Sequence, residues 1–198
     1  MRAYYEELWE RLPDELQPPD FELRRRFLLS EVRPSDHALD LGAGAGDFTS
    51  LLSEAARAAI GVEVAQAALA RAKSKHPELN FRLAPVDGPL PLADNAFDLV
   101  WASEVIEHIA DTGRWLSEVR RVLAPGGRLL LTTPSHGRVR VAMLGVERFS
   151  EPLGDHLHLY TRSSLQALLA EFGFADVRVK TAAGPPLLRR LLLARATR

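Results

Sequence analysis

Three alternating glycines after an apolar run form the strongest candidate ligand-binding feature of the chain. Gly42, Gly44 and Gly46 follow His37–Leu41, and Asp40 lies just before them. Glycine at alternate positions lets the backbone take positive φ values and lets a bulky ligand approach it closely. We therefore expect a ligand at this turn, with a purely structural glycine turn as the alternative.

The spacing of these glycines distinguishes between kinds of ligand. A dinucleotide-binding turn reads G-x-G-x-x-G and receives a pyrophosphate at the N-terminus of the following helix. Here the third glycine comes one residue earlier, and Asp47 stands where that turn needs a small residue. Two acids beside the turn, Asp40 and Asp47, would repel a pyrophosphate. The pattern favours a cofactor with a positively charged amino or sulfonium group and disfavours a nucleotide-dependent oxidoreductase.

The elements that must position these residues alternate along the chain. Strands are predicted at 37–41, 58–64, 80–86, 97–103 and 128–134, and helices at Phe48–Arg57, Ala65–Lys75 and Arg114–Leu123. This alternation is typical of a parallel sheet with helices on both faces. Right-handed crossovers bring the carboxyl ends of the strands to one edge. The polar residues at those ends are Asp40, Glu63, Asp87 and Ser103–Glu104. Ligands bind at that edge of open α/β sheets, so one shared site is expected.

A series of segments resembles the motifs of the class I S-adenosylmethionine-dependent methyltransferases. They are Asp40–Gly46, Glu63 in Ala59–Val64, Asp87–Gly88, Leu90–Val100, Glu104–Ile109 and Leu123–Leu131. The resemblance is dense from Ala38 to Pro134. It implies an α/β fold with a Rossmann-like, seven-stranded, mostly parallel sheet, helices on both faces and an antiparallel last strand. It also implies S-adenosyl-L-methionine as the cofactor.

The resemblance further assigns roles to residues at the predicted sheet edge. Glu63 would accept hydrogen bonds from both ribose hydroxyls of the cofactor, and Asp87 would accept one from the adenine amine. The segment from Asp87 to Pro91 is one residue shorter than in many relatives, which leaves the backbone contacts to adenine open. The implied cofactor-binding residues are Asp40, Gly42, Gly44, Gly46, Glu63, Val64, Asp87, Gly88, Ser103 and Glu104.

Histidines are the candidate catalytic residues, because an acceptor that must lose a proton needs a base with a pKa near neutral. His108 follows the fourth predicted strand, and His156 and His158 face one side of an extended segment. We predict His156 and His108 as the catalytic residues. The alternative for His108 is a histidine that caps or orients its loop. Two alternatives stay open for the segment with His156, packing of the loop and a metal pair with Asp155. A metal normally needs three or four converging ligands, and we predict none.

The chain is predicted to form one methyltransferase domain over residues 1–198. It divides into an N-terminal helical segment (1–36), a cofactor-binding core (37–134), a substrate lid (135–160) and a C-terminal helix with strands (161–198). Within the last part, Leu187–Ala196 favours a helix by propensity. The resemblance instead implies an antiparallel strand inserted in the sheet. We predict the strand, because tertiary context often overrides propensity.

Composition sets limits on the partners of the chain. The 198 residues carry a net charge of −1 with acids and bases interspersed, which argues against nucleic acid or an anionic membrane as partner. There is no cysteine, so disulfides and thiolate chemistry are excluded. The first ten residues lack the features of a signal peptide, and no apolar run approaches the ~18 residues of a membrane span. We expect a cytoplasmic protein; its oligomeric state is not predicted.

The methyl acceptor is predicted to be a small molecule. The fourth strand ends in Ala102-Ser103-Glu104, unlike the Asn/Asp-Pro-Pro-Tyr/Phe sequence that resembles amino-group methylation of adenine or glutamine. The lid carries Arg138, Arg140 and Arg148, which suit an anionic acceptor, with a solvated loop as the alternative. We predict an S-adenosylmethionine-dependent methyltransferase, and the alternative is a protein that binds this cofactor without catalysis.

Overall fold

Seven strands form one sheet in the computed structural model, which describes residues 2–13, 18–85, 88–145 and 156–198. In chain order they are β1 (His37–Leu41), β2 (Ala58–Glu63), β3 (Asn80–Leu83), β4 (Phe97–Ser103), β5 (Leu123–Pro134), β6 (Ala175–Ala182) and β7 (Leu191–Thr197). Their spatial order is β3-β2-β1-β4-β5-β7-β6. Neighbours from β3 to β5 pair in parallel, while β7 is antiparallel to β5 and to β6. The predicted sheet and its antiparallel last strand are confirmed.

Helices cover both faces of this sheet. They are α1 (Arg2–Arg11), α2 (Phe21–Leu29), α3 (Asp47–Ala55), α4 (Gln66–Lys75), α5 (Thr112–Val122), α6 (Arg138–Leu144) and α7 (Arg162–Glu171), with a 3-10 turn at Ile106–His108. Successive strand residues point to opposite faces. Leu39, Val100 and Leu129 therefore pack with α5 and α7. Their neighbours Ala38, Leu99 and Leu130 pack with α2 and α3.

The last strand shows tertiary context overriding helix propensity. Leu191, Leu192, Ala194 and Ala196 of β7 are all buried, at most 2% exposed. Leu131 of β5 and Val179 of β6 both pair with Ala194, so β7 has a ladder on each side. An isolated helix here would bury only one face, whereas an inserted strand satisfies its backbone on both edges. This arrangement explains why a leucine- and arginine-rich segment forms a strand.

Two strands differ by more than one residue from their predicted bounds, 80–86 and 128–134. β5 begins at Leu123 instead of residue 128, because Leu123 already pairs with Phe97 before a register shift. Gly126, with φ of 77°, turns the chain within that strand. β3 ends at Leu83, and Val86 lies outside the described residues. The common edge formed by the strand ends is unaffected.

The predicted lid contains one short helix, α6, in its described part. Residues 146–155 are not described, so Arg148 and Asp155 fall outside the structure's scope. Along the described ranges, no helix is long and apolar enough to cross a membrane.

Candidate active site

A cavity of about 450 Å³ opens at the carboxyl edge of the sheet. Its size lies within the range of small-molecule sites, which is about 300–1,000 Å³. The sequence-predicted residues that line it are Gly42, Gly44, Glu63, Val64, Gly88, Ser103, Glu104 and His108. Residues up to 66 positions apart in sequence, from Gly42 to His108, therefore meet around one space. The topology alone brings them together.

The glycine turn forms the floor of this cavity. The N–H groups of Gly42 and Ala43 both donate to the Val62 carbonyl, at 2.8 and 3.0 Å, which fixes the turn against β2. Gly42 has φ of 86°, and a Cβ there would stand 2.4 Å from Cγ2 of Val105. Only glycine fits this position, because both the backbone conformation and the space exclude a side chain. Gly46, with φ of 87°, is the N-cap residue of α3 and lies against Phe81 instead of lining the cavity.

Glu63 is held rigidly at the end of β2. Its Oε1 accepts hydrogen bonds from the N–H groups of Val64 (2.7 Å) and Ala65 (3.0 Å), and its Oε2 accepts one from Gly44 (2.9 Å). Burial raises the pKa of this carboxyl above its usual value, and the three backbone donors oppose that rise. A carboxylate has about four lone-pair sites, so one site on Oε2 stays open for a ligand donor.

Asp40 lies beneath the glycine turn and does not line the cavity. It is 1% exposed, and its Oδ2 accepts a hydrogen bond from the Thr49 hydroxyl at 2.6 Å. Burial raises the pKa of Asp40 to about 7, with further contributions from Glu63 and Asp47. Its contact ties β1 to α3, so Asp40 supports the turn from below. Asp47 itself does line the cavity.

Arg24, a cavity residue that the sequence analysis did not single out, comes from α2. Its side chain is 4% exposed and lies 3.1 Å from Oε2 of Glu104, with Oγ of Ser103 at 3.5 Å. Glu104 has a positive φ of 55° at the end of β4, a backbone conformation that non-glycine residues seldom adopt. Desolvation raises the pKa of Glu104 and the Arg24 charge opposes this. The sequence does not distinguish Arg24 as a site residue, because it is one of three consecutive arginines in α2.

The first helix covers the cavity from outside. Tyr5, Leu8 and Trp9 of α1 line it, and Trp9 lies 3.1 Å from the position of a Cβ on Gly44. The Glu6 carboxylate accepts hydrogen bonds from the N–H groups of Gln66 (2.7 Å) and Ala67 (2.8 Å). These are unpaired donors of the first turn of α4, whose own N-cap is an alanine without a side-chain cap. Glu6 thus anchors α1 over the site.

The two predicted catalytic histidines lie together at one end of the site. His108 lines the cavity, and the ring of His156 is 5.1 Å from it between centroids. The Tyr5 ring meets His108 edge-on at 6.4 Å. His158 is directed elsewhere, because its Nε2 lies 2.9 Å from the Ile109 carbonyl oxygen. His156 and His158 therefore both lie against the turn at residues 106–109, but only His156 has a ring contact with His108.

A third histidine, His136, lies next to this pair. Its ring is 6.2 Å from that of His156 and it is 4% exposed. Burial lowers the pKa of His136 to about 4, so the ring is neutral at physiological pH. Of the remaining predicted residues, Asp87 lies outside the described ranges, and its role as the adenine ligand stays a prediction.

Comparison with known proteins agrees with this arrangement. A family model described as a methyltransferase domain matches residues 39–131. A trans-aconitate 2-methyltransferase from Variovorax paradoxus is 30% identical over 183 residues, which cover 89% of this chain and 67% of that protein. A malonyl-[acyl-carrier protein] O-methyltransferase from Methylococcus capsulatus is 32% identical over 77% of this chain and 58% of its own length.

Solved structures share the fold. A methyltransferase structure from Archaeoglobus fulgidus superposes with a TM-score of 0.73, covering 99% of both chains at 17% identity. Several curated relatives are longer, and this chain spans 32% to 48% of their length.

The sheet order, the glycine turn and these similarities define the class of protein. The chain belongs to the class I S-adenosylmethionine-dependent methyltransferases. S-adenosylmethionine is the cofactor of that class. The site residues fit it, because the cavity beside the glycine turn leaves room for a ligand and the paired charges of Arg24 and Glu104 complement an amino-acid group.

Proposed function

We propose that this protein transfers the methyl group of S-adenosylmethionine to a small anionic acceptor. The observation that carries the proposal is the cavity itself, which joins a glycine floor, a rigid buried carboxylate and an ion pair at one sheet edge. When bound, the cofactor supplies a methyl group already activated by its sulfonium. The protein then needs chiefly to position the acceptor and exclude water.

Each part of the cavity has a matching part of the cofactor. Glu63 would hold the ribose through its open acceptor site. Val64, Gly88 and Leu90 line the side on which the adenine would lie. The cofactor carries an ammonium and a carboxylate, which Glu104 and Arg24 would bind respectively, because each charge then faces its opposite.

The acceptor would lie at the other end, beside His108 and His156. The relatives from Variovorax and Methylococcus are named for trans-aconitate and for a malonyl group, both of which carry carboxylates. The nearby α6 carries Arg138 and Arg140, which suit such an anion. An ionised carboxylate can attack a methyl group without losing a proton. A carboxylate acceptor would therefore need no general base, whereas a hydroxyl or amine acceptor would use His108 or His156.

The competing function is cofactor binding without catalysis, in which the lid would contact a partner. Calorimetry with S-adenosylhomocysteine and with NADPH tests the donor site first. We expect micromolar binding of the former and none of the latter; NADPH binding alone would contradict the proposal. Methyl-labelled cofactor with a panel of di- and tricarboxylates then tests transfer. Labelled ester would support catalysis, and no product from any acceptor or metabolite extract would favour the competing function. A cytoplasmic location stays a prediction from composition.

A further inference from the structure

Three potential metal ligands converge beside the acceptor end of the cavity. Glu107 and His108 belong to the 3-10 turn after β4, and His156 comes from the chain beyond α6. One ligand atom from each lies within 4.8 Å of the other two. Oε1 of Glu107 lies 3.8 Å from Nε2 of His108. Two imidazoles and one carboxylate form a donor set that divalent transition metals favour.

Glu107 supplies a second, independent observation. The side chain is 0% exposed. Its Oε2 accepts a hydrogen bond from the Thr133 hydroxyl at 2.8 Å. Its Oε1 is buried and has no hydrogen-bond donor among the described residues, and it lies 3.8 Å from Nε2 of His108. A buried carboxylate oxygen without a donor is costly, and a cation bound to it removes that cost.

Backbone contacts fix the third ligand in place. The N–H groups of Leu157 and His158 donate to the Glu107 carbonyl, at 2.8 and 3.1 Å. Nε2 of His158 also contacts the carbonyl oxygen of Ile109, which directly follows the 3-10 turn. The segment that carries His156 is therefore pinned to the turn that carries Glu107 and His108. These contacts would hold His156 near Glu107 and His108 before an ion binds.

We propose that Glu107, His108 and His156 bind one divalent transition-metal ion. Ligand atoms around a tetrahedral zinc ion at about 2.0–2.2 Å stand about 3.4 Å apart. Side chains now within 4.8 Å reach that spacing through small rotamer adjustments. The proposal revises the sequence prediction of no metal. It also replaces the earlier alternative of His156 with His158 and Asp155, because His158 is directed at Ile109 and the buried carboxylate is Glu107.

Three protein ligands leave a coordination position open, which suits an oxygen atom of a ligand. His108 lines the cavity, so that position is next to the acceptor end. The ion would hold an oxygen of the anionic acceptor and supply positive charge there. This use of the ion rests on the proposed function. Binding of the ion itself does not, because it can be measured without cofactor or acceptor.

Zinc and cobalt(II) are the probes for this site. The chain is stripped with EDTA, dialysed into chelator-free buffer and titrated with ZnCl2 by calorimetry, and with CoCl2 by visible absorption. We expect one ion per chain with micromolar or tighter affinity, and a cobalt spectrum typical of nitrogen and oxygen ligands. The absence of saturable binding to the wild-type chain would overturn the proposal.

Variants locate the ion. Glu107→Gln and His156→Ala should each weaken zinc binding at least tenfold, whereas His37→Ala, an exposed histidine on β1, should not change it. Zinc binding equal to wild type in a folded His156→Ala variant would contradict the assignment. His156 is partly exposed, so we expect this variant to fold even if Glu107→Gln does not. Thermal unfolding of each metal-free variant reports folding. Binding of S-adenosylhomocysteine to the same variants tests the donor site separately from the metal site.

Discussion

The carboxylate of Glu63 accepts a hydrogen bond from the backbone N–H of Gly44 over 2.9 Å, so the end of β2 and the glycine turn are directly joined. The same carboxylate accepts two further backbone N–H groups through Oε1. A ligand hydroxyl that binds Glu63 therefore meets an acceptor whose position is set before binding. Only Oε2 has a site left, so a second ribose hydroxyl could bind there only by replacing the Gly44 contact.

Glu63→Ala should weaken binding of S-adenosylhomocysteine by about 10- to 150-fold. Hydrogen bonds to charged groups contribute about 1.5–3 kcal/mol each, and every 1.4 kcal/mol is about tenfold in affinity. Calorimetry measures the loss, and circular dichroism verifies that the variant is folded. A loss far above this range would indicate that the glycine turn has also rearranged. Unchanged affinity in a folded variant would exclude Glu63 as the ribose ligand.

Glu6→Ala should release α1 from α4 and weaken cofactor binding up to about fivefold. Removing a side-chain cap from a helix N-terminus costs about 1 kcal/mol, and α1 supplies one wall of the cavity. Hydrogen exchange at the amides of Gln66 and Ala67 should accelerate in the same variant. Glu7→Ala is the matched control, since Glu7 is exposed and contacts Arg11 within the same helix. Equal effects of the two substitutions would show that the docking contact is not responsible.

Arg24→Met should weaken binding of S-adenosylhomocysteine about tenfold or more and leave 5′-methylthioadenosine unaffected. The second ligand has the nucleoside but lacks the amino-acid group that Arg24 would bind, so the pair of ligands isolates that contact. Arg25→Met is the control, because Arg25 is 41% exposed and pairs with Glu22 on the outer side of α2. Similar losses for both ligands would mean that Arg24 shapes the cavity as a whole instead of binding the carboxylate.

Asp40 should make the protein less stable as the pH rises from about 4 to 7. The pKa of Asp40 is raised by burial from 3.8 to about 7. In that pH window the folded state holds a proton that the unfolded state has lost, so the free energy of unfolding falls with increasing pH. Asp40→Asn removes this dependence. The Tm of the variant minus the Tm of wild type should therefore be several degrees larger at pH 8 than at pH 5.

The matched control for Asp40 is Glu78→Gln, which neutralises an exposed carboxyl. Its Tm difference from wild type should be nearly the same at both pH values. If the Tm difference between Asp40→Asn and wild type is also the same at both pH values, then Asp40 is ionised in the folded protein near neutral pH.

Local sequence determined the floor of the site and the shared edge at which the parallel strands end. The positive φ values of Gly42 and Gly46 follow from residue type and spacing, as predicted. Glu63 and Glu104 fall at the cavity because strand ends of a right-handed α/β sheet share one edge, a rule that needs no knowledge of side-chain packing. The antiparallel strand β7 was implied by resemblance against its own helix propensity.

Tertiary packing decided the contacts that join distant segments. Arg24 reaches Glu104 only because α2 packs against the sheet, and nothing in the arginine run of α2 distinguishes it from its neighbours. Glu107 meets His156 because backbone donors from residues 157 and 158 bind its carbonyl. Asp40 was expected in the cavity and instead lies beneath it, bound to Thr49. Sequence periodicity fixes which face a residue occupies, but which distant side chain it meets there depends on how whole elements pack.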